Sequence, residues 1–298
     1  MVCAAWHDDQ RPGLSCKVMT QKTRARVEVR LLKKLEEYRQ CERIQAHVWG
    51  TPGATCELLA AAQKYGGALI GTLIDGRVVG FIFAFLARYD GRLVHWSHMM
   101  ALEAKYRDRG FGLRMKRVHR QFALDRGLKS ICWTFDPLQS RNARLNISRL
   151  GAKAQEYVAD CYGRFPSPLE KGLPSDRWVV NWQINTRRVE RRLRGENPAF
   201  PASTSRVNDT RLNLHGFPEN RAIRLALSDP RLLVEIPAQT EAMRARALPL
   251  ARKWRLESRR IFQNYLSQGY CVEDFFPPQP VTEGRCFYLL RRMSGNHG

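Results

Sequence analysis

The chain has 298 residues, 44% hydrophobic and 26% charged, enough to bury a sizeable core and incompatible with wholesale disorder. Its apolar runs, such as Phe81 to Ala87, fall far short of the roughly 20 residues of a membrane-spanning helix, so no membrane partner is expected. The net charge is +22, carried by 39 Arg and 11 Lys and divided as +13 over residues 1–184 and +9 over 185–298; it brings anionic partners such as nucleic acid or a phosphorylated cofactor into consideration, although a GC-rich genome also produces such an Arg bias. Eight cysteines lie scattered without a CxxC pair, which excludes a zinc ribbon, predicts no metal and points to reduced, buried thiols in a cytoplasm. No apolar stretch of secretory type opens the chain.

Residues 1–26 lack an apolar period and read as a disordered extension, with Met19 as an alternative start. Helical spacing of Val29, Leu32, Leu35, Tyr38, Ile44 and Val48 predicts a helix over 27–48, and a second is expected from Cys56 to Tyr65. The period then changes. Ala68 to Ile74 and Arg77 to Arg88 read as strands around the Asp75-Gly76 turn, with a third strand from Arg92 to Leu102 after Asp90-Gly91. A helix from Gly112 to Arg126, with Leu113, Val118, Phe122 and Leu124 as its apolar stripe, is followed by a strand over 128–135 and a short helix over 141–150. Strands over 154–161 and 177–184 close this part. Residues 185–230 read as a helical extension and mobile linker. Residues 231–298 read as a smaller α+β appendage of a strand over 232–236, one long helix over 241–266, and strands over 270–276 and 285–291. The Arg-rich stretch Met243–Arg260 is expected to present a solvated basic face over a core stripe of Leu248, Trp254, Phe262 and Leu266.

Chemistry concentrates at Arg107-Asp108-Arg109-Gly110-Phe111-Gly112, between a strand and a helix. Two glycines there let several N–H groups converge, and the helix adds its positive end, a combination suited to a pyrophosphate. With the element order, Asn142-Ala143 opening the helix after Trp133-Thr134-Phe135-Asp136, and Leu150-Gly151-Ala152 at its exit, the stretch 27–184 resembles the GNAT superfamily of acyl-CoA-dependent N-acyltransferases. The match extends through Tyr157, Tyr162-Gly163 and Asp176-Arg177-Trp178 to a subgroup of larger members with a C-terminal extension.

The resemblance implies a GNAT-like mixed sheet in which the strands of residues 94–102 and 128–135 splay apart, with acetyl-CoA or another acyl-CoA as co-substrate. Main-chain groups around Met100, Ala101 and Leu102 would hold the pantetheine arm. Arg107, Arg109, Gly110, Phe111 and Gly112 would hold the pyrophosphate, with Asn142 facing it from the other side. The family's usual acid is a Tyr four residues before the exit glycine, and here that position is Ile147.

For the base that must deprotonate an ammonium acceptor, His98 is the first candidate, on the cleft-lining strand beside Ser97. His95 falls on the other face of a regular strand, and Glu103 could act through water. Tyr162 is the alternative acid. Asp136, Asn146, Tyr157, Asp160 and Arg177 are candidates to meet the acceptor, a small-molecule amine such as an amino acid. Bland roles compete for each: a histidine satisfied within its sheet, packing tyrosines, an aspartate capping a turn, a solvent-facing asparagine stripe. Two other readings stand beside the enzyme, a basic nucleic-acid-associated protein and a non-catalytic acyl-CoA sensor on the same fold. A second copy of the chain is a further candidate partner.

Overall fold

The computed structural model describes residues 25–50, 53–163 and 172–293; the expected N-terminal extension lies, but for its last two residues, outside them. Val27, Val29 and Leu31 alternate with Glu28 and Arg30, and this period of two prevails over the helical spacing expected there. They form strand β1 (Val27–Leu31), with Val27 opposite Ile74, and helix α1 (Leu35–Trp49) begins only afterwards. The Glu37 carboxylate fixes that start by accepting the N–H groups of Lys33 (2.8 Å) and Lys34 (3.1 Å). Helix α2 (Cys56–Lys64) is capped by Thr55, whose hydroxyl accepts the Leu58 N–H.

Strands β2 (Ala68–Ile74), β3 (Arg77–Tyr89) and β4 (Arg92–Leu102) follow as an antiparallel meander. Helix α3 (Phe111–Leu124) crosses over to β5 (Ser130–Phe135), the partner that β4 meets in parallel. The short helix expected next is α4 (Ser140–Ala143), which widens into a π turn over Arg144–Arg149. Strands β6 (Lys153–Val158) and β7 (Arg177–Gln183) and helix α5 (Arg187–Leu193) complete this part.

In the segment 185–230, α5 falls in the part expected to be helical, and the part expected to be a mobile linker holds a hairpin of β8 (Asn208–Leu212) and β9 (Pro218–Ile223). The buried Asn208 amide explains its order: it donates to Glu235 O at 3.1 Å while its oxygen accepts the Glu235 N–H at 2.8 Å. The long helix expected over 241–266 is two, α6 (Thr240–Arg246) and α7 (Leu248–Ser267), because Ala247 leaves helical geometry and Pro249 opens the second. Strands β10 (Arg231–Ile236), β11 (Tyr270–Phe276) and β12 (Cys286–Arg292) continue the main sheet, with Val272 of β11 opposite Ala154 of β6.

One ten-stranded mixed sheet results, in the order β1-β2-β3-β4-β5-β7-β6-β11-β12-β10, and the fold is α+β. Helices α1 and α2 cover the face here termed the front, over Leu69, Phe81, Phe83 and Ala101. On the back, α3 packs on Ile70, Ile82 and Ala84, and a larger core joins β5, β7 and β6 to α7 and the C-terminal strands. The six described cysteines are free thiols, all but Cys161 buried. No helix among the described residues is long and apolar enough to cross a membrane.

Candidate active site

β4 and β5 share only two rungs, His95 with Ile131 and Trp96 with Cys132. Beyond them the strands part, β4 continuing to Leu102 against β3 and β5 to Phe135 against β7. The cause lies in β4. Ala84 faces Ser97 and Phe83 faces Met99, so His98 is an extra, unpaired residue. Such a bulge bends its strand and increases its twist, which turns the rest of β4 away from β5.

The bulge also sorts the side chains. His95, Ser97, Met100 and Leu102 face α3 on the back, whereas His98, Met99 and Ala101 share the front. His98 and Thr134 each stand two residues past the last rung, one on either arm of this fork. The His98 ring lies 6.1 Å from Phe83 and 5.6 Å from Phe85, centroid to centroid, and burial against them lowers its pKa although part of the ring reaches solvent. Thr134 shares a 2.9 Å hydrogen bond with the Tyr162 hydroxyl, and the Arg177 guanidinium lies 5.2 Å from the Tyr162 ring. His98 thus stands with Phe83 and Phe85 on the β4 arm, and Tyr162 and Arg177 stand together beside Thr134 on the β5 arm.

At the mouth of the fork, the loop into α3 carries Asp108 (φ +60°) and Gly110 (φ +79°) in left-handed backbone, a geometry that aims successive N–H groups at one point. Gly110 caps α3 without a side chain of its own, so among the described residues no side-chain cap occupies the positive end of the helix. A side chain on Gly112 would lie 3.3 Å from Met100 Cε and 3.5 Å from Leu145 Cδ2, so α3 is pressed close to β4 and the π turn. Arg109 stacks on Tyr106, and Arg141 of α4 forms an ion pair with Asp108 at 3.5 Å, which ties α4 to this loop. Asn142, on α4, is exposed.

Several expected site residues are engaged elsewhere. Leu102 O accepts from Arg107 Nε at 3.2 Å, Ala101 points into the front core, and Phe111 is 8% exposed. Glu103 is clamped by Arg77 through two 2.8 Å bonds beside a surface hollow lined by Gln40, His47 and Asp75, at the far end of β4 from the paired rungs. Its carboxylate is therefore an ion-pair partner there and not a candidate base at the fork. Asp136 bonds the buried Arg255 at 2.6 Å. Burial pushes that carboxyl up, but Arg255 outweighs it and holds the pKa below the usual range.

Tyr157 donates to Asp176 at 2.6 Å, and burial and that carboxylate raise its pKa, which removes it as an acid or base near neutrality. Asp160 accepts from the Ser175 N–H and hydroxyl and shapes its loop. Asn146 is buried within the π turn, and Ile147 lies wholly in the core, so no acid occupies the usual Tyr position. Arg255 and Arg259 of α7, expected on a solvated face, instead reach back to these aspartates, while Leu248 stands exposed outside the stripe proposed for it.

One residue the sequence reading passed over sits inside the fork. Lys116, 2% exposed, donates to Ser97 Oγ at 3.0 Å and lies 3.7 Å from the centre of the Trp133 ring, and burial lowers its pKa to about 7. The fully buried residues of α3 are Phe111, Met115, Lys116, His119, Phe122 and Ala123; of the expected stripe Phe122 is among them, while Leu113, Val118 and Leu124 are half-buried at the edges of the same cores. A helical period taken through Phe111, Met115 and Phe122 carries His119 inward and marks both basic residues.

The strand order, the parallel β4–β5 pair and the parting strands beside the α3 N-terminus agree with the GNAT-like fold that the sequence resemblance implies. No family model and no curated protein sequence matches the chain. Among solved structures it is similar to Arabidopsis thaliana Naa50 in complex with a CoA-containing bisubstrate analogue, at 13% identity and TM-score 0.42, over 52% of this chain and 97% of that one. It is also similar to aminoglycoside 6'-acetyltransferase type Ii (15%, TM-score 0.43, 54% and 99%). A third is an acetyltransferase of the GNAT family from Streptococcus pneumoniae (12%, TM-score 0.42, 52% and 98%). Likeness at this level concerns the arrangement of elements over about half of the chain and says nothing of substrate.

Proposed function

We propose that the chain is an acyl-CoA-dependent N-acyltransferase, moving an acyl group such as acetyl or succinyl to the amine of a small molecule. The observation that carries this reading is the parting of β4 and β5 past Trp96 and Cys132, beside an α3 N-terminus whose cap residue Gly110 offers no side chain. The loop Arg107–Gly112 takes the pyrophosphate, and the pantetheine arm enters between the parted strands. The acceptor approaches from the front, and Arg177 beside Tyr162 favours one bearing a carboxylate, as an amino acid does.

His98 supplies the base. Its depressed pKa keeps the imidazole neutral near pH 7, able to take the proton that the acceptor nitrogen loses on attack. Main-chain N–H groups of the β4 arm past the last rung, which no longer pairs with β5, are the donors this reading assigns to the developing oxyanion. Calorimetric titration of acetyl-CoA and succinyl-CoA into wild type and Gly110→Glu tests the reading. A side chain at Gly110 strains a left-handed position and adds negative charge to the mouth, so binding is expected in wild type and at least tenfold weaker in the variant. Absence of binding in both proteins overturns the reading.

A further inference from the structure

We infer that Lys116 is the proton donor to the leaving thiolate: its ammonium is wedged between the two arms of the fork at the first residue each strand carries past the last shared rung. Those residues are Ser97 on β4 and Trp133 on β5, and Lys116 touches both, through the 3.0 Å bond and the 3.7 Å ring contact. The inference rests on the acyltransferase reading and adds to it the acid that Ile147 cannot be.

The two faces of the sheet separate the two proton transfers. Lys116 reaches the fork from the back, the side of α3 and the phosphate-binding loop, along which the thiol-bearing arm must travel. His98 faces it from the front, where the acceptor enters. In the reaction the acceptor nitrogen bonds the acyl carbon and the carbon–sulfur bond breaks, its electron pair passing to sulfur. Lys116 gives sulfur a proton, His98 takes one from the nitrogen, and solvent exchange restores both residues.

Lys116 is costly where it stands. No carboxylate of the described residues pairs with it, and its titratable neighbours are His119 on the same helix and His95 on β4, with Arg126 beyond them over Phe122. These groups add positive charge or none. Burial brings the amine to about 7, where a general acid is half protonated near neutrality and best matched to its task. A methionine of similar length would fill the same space under Trp133 without the desolvation cost.

The test needs no acceptor. Coenzyme A is bound to wild type, Lys116→Met and Lys116→Arg, and the ultraviolet absorbance of its thiolate is followed across the neutral pH range, with thermal melts to verify folding. In wild type the bound thiol is expected to ionise at least tenfold more readily than free coenzyme A. Lys116→Arg, whose charge does not titrate, retains that shift, and Lys116→Met loses it, each protein being held at a saturating concentration of coenzyme A. Identical thiol titrations in wild type and Lys116→Met overturn the role of Lys116 and leave the acyltransferase reading standing. Failure of wild type to bind coenzyme A overturns that reading itself.

Discussion

Arg259 grips the buried carboxylate of Asp176 with two nitrogens, Nε to Oδ2 at 2.9 Å and Nη2 to Oδ1 at 2.5 Å. The pair ties α7 to the segment leading into β7, and Tyr157 and the Asp160 N–H complete the bonding of the same carboxylate. Arg259→Ala would leave a fully buried charge without its cation. A stability loss of about 3–5 kcal/mol is expected in urea unfolding, with Arg259→Lys intermediate because a point charge cannot reproduce the fork geometry. A loss below about 1 kcal/mol would rank the pair with weak surface bridges.

His98→Ala is expected to lower kcat/KM by about a hundredfold or more, the scale of a lost general base, with acyl-CoA affinity unchanged. The wild-type profile should fall with acid through a pKa below the ordinary histidine value, since burial against Phe83 and Phe85 disfavours the imidazolium. The variant should lack that limb. An unaltered pH–rate profile in His98→Ala would remove the residue from the mechanism.

A second pH effect concerns stability. His95 Nδ1 lies 2.6 Å from His119 Nε2 in the back core, and burial pushes His95 down to about 4 and His119 well below its ordinary 6.5. Both bind protons more readily unfolded than folded. Their contribution is therefore complete above the unfolded pKa and is lost as pH falls from about 6.5 toward 4, at up to about 2.7 kcal/mol per pH unit for two protons. Urea unfolding at a series of acid pH values should give that slope in wild type and about half of it in His119→Met.

Lys116→Met should unfold at higher urea concentration than wild type at neutral pH, by about 1–4 kcal/mol, because an unpaired buried amine is replaced by apolar packing. The amine titrates near 7 folded and 10.5 unfolded, so wild type loses stability as pH falls from 10.5 to 7 and levels off below. The variant should show no such slope. A destabilised variant with an unchanged slope would mean that Lys116 is fully charged and well solvated in the native protein.

Much of this organisation can be read in the residues. The strands around Asp75-Gly76 and Asp90-Gly91 follow from turn residues between apolar runs, and Gly110 before an amphipathic segment marks the start of α3. Helical spacing misled at Val27–Leu31, where so short a segment fits both periods and pairing with β2 decides. It misled again at Ala247, where a local break divides an otherwise continuous apolar stripe.

The site was legible as a loop but not as a constellation. Glu103, Asp136 and Asp176 carry the chemistry of acids and bases, yet Arg77, Arg255 and Arg259, distant in sequence, engage them in ion pairs. No local spacing encodes such partners.

The order of elements from α1 to β7, the phosphate-binding loop and the loss of a tyrosine at Ile147 were set by the sequence itself, since each depends on neighbours within a few residues. That Met99 shares a face with His98, how far β4 and β5 stay joined, and that Lys116 lies dry between them were decided only by the tertiary structure. A single bulged residue shifts every later side chain of a strand to the other face, and an amine loses its solvent only when three separate elements close around it.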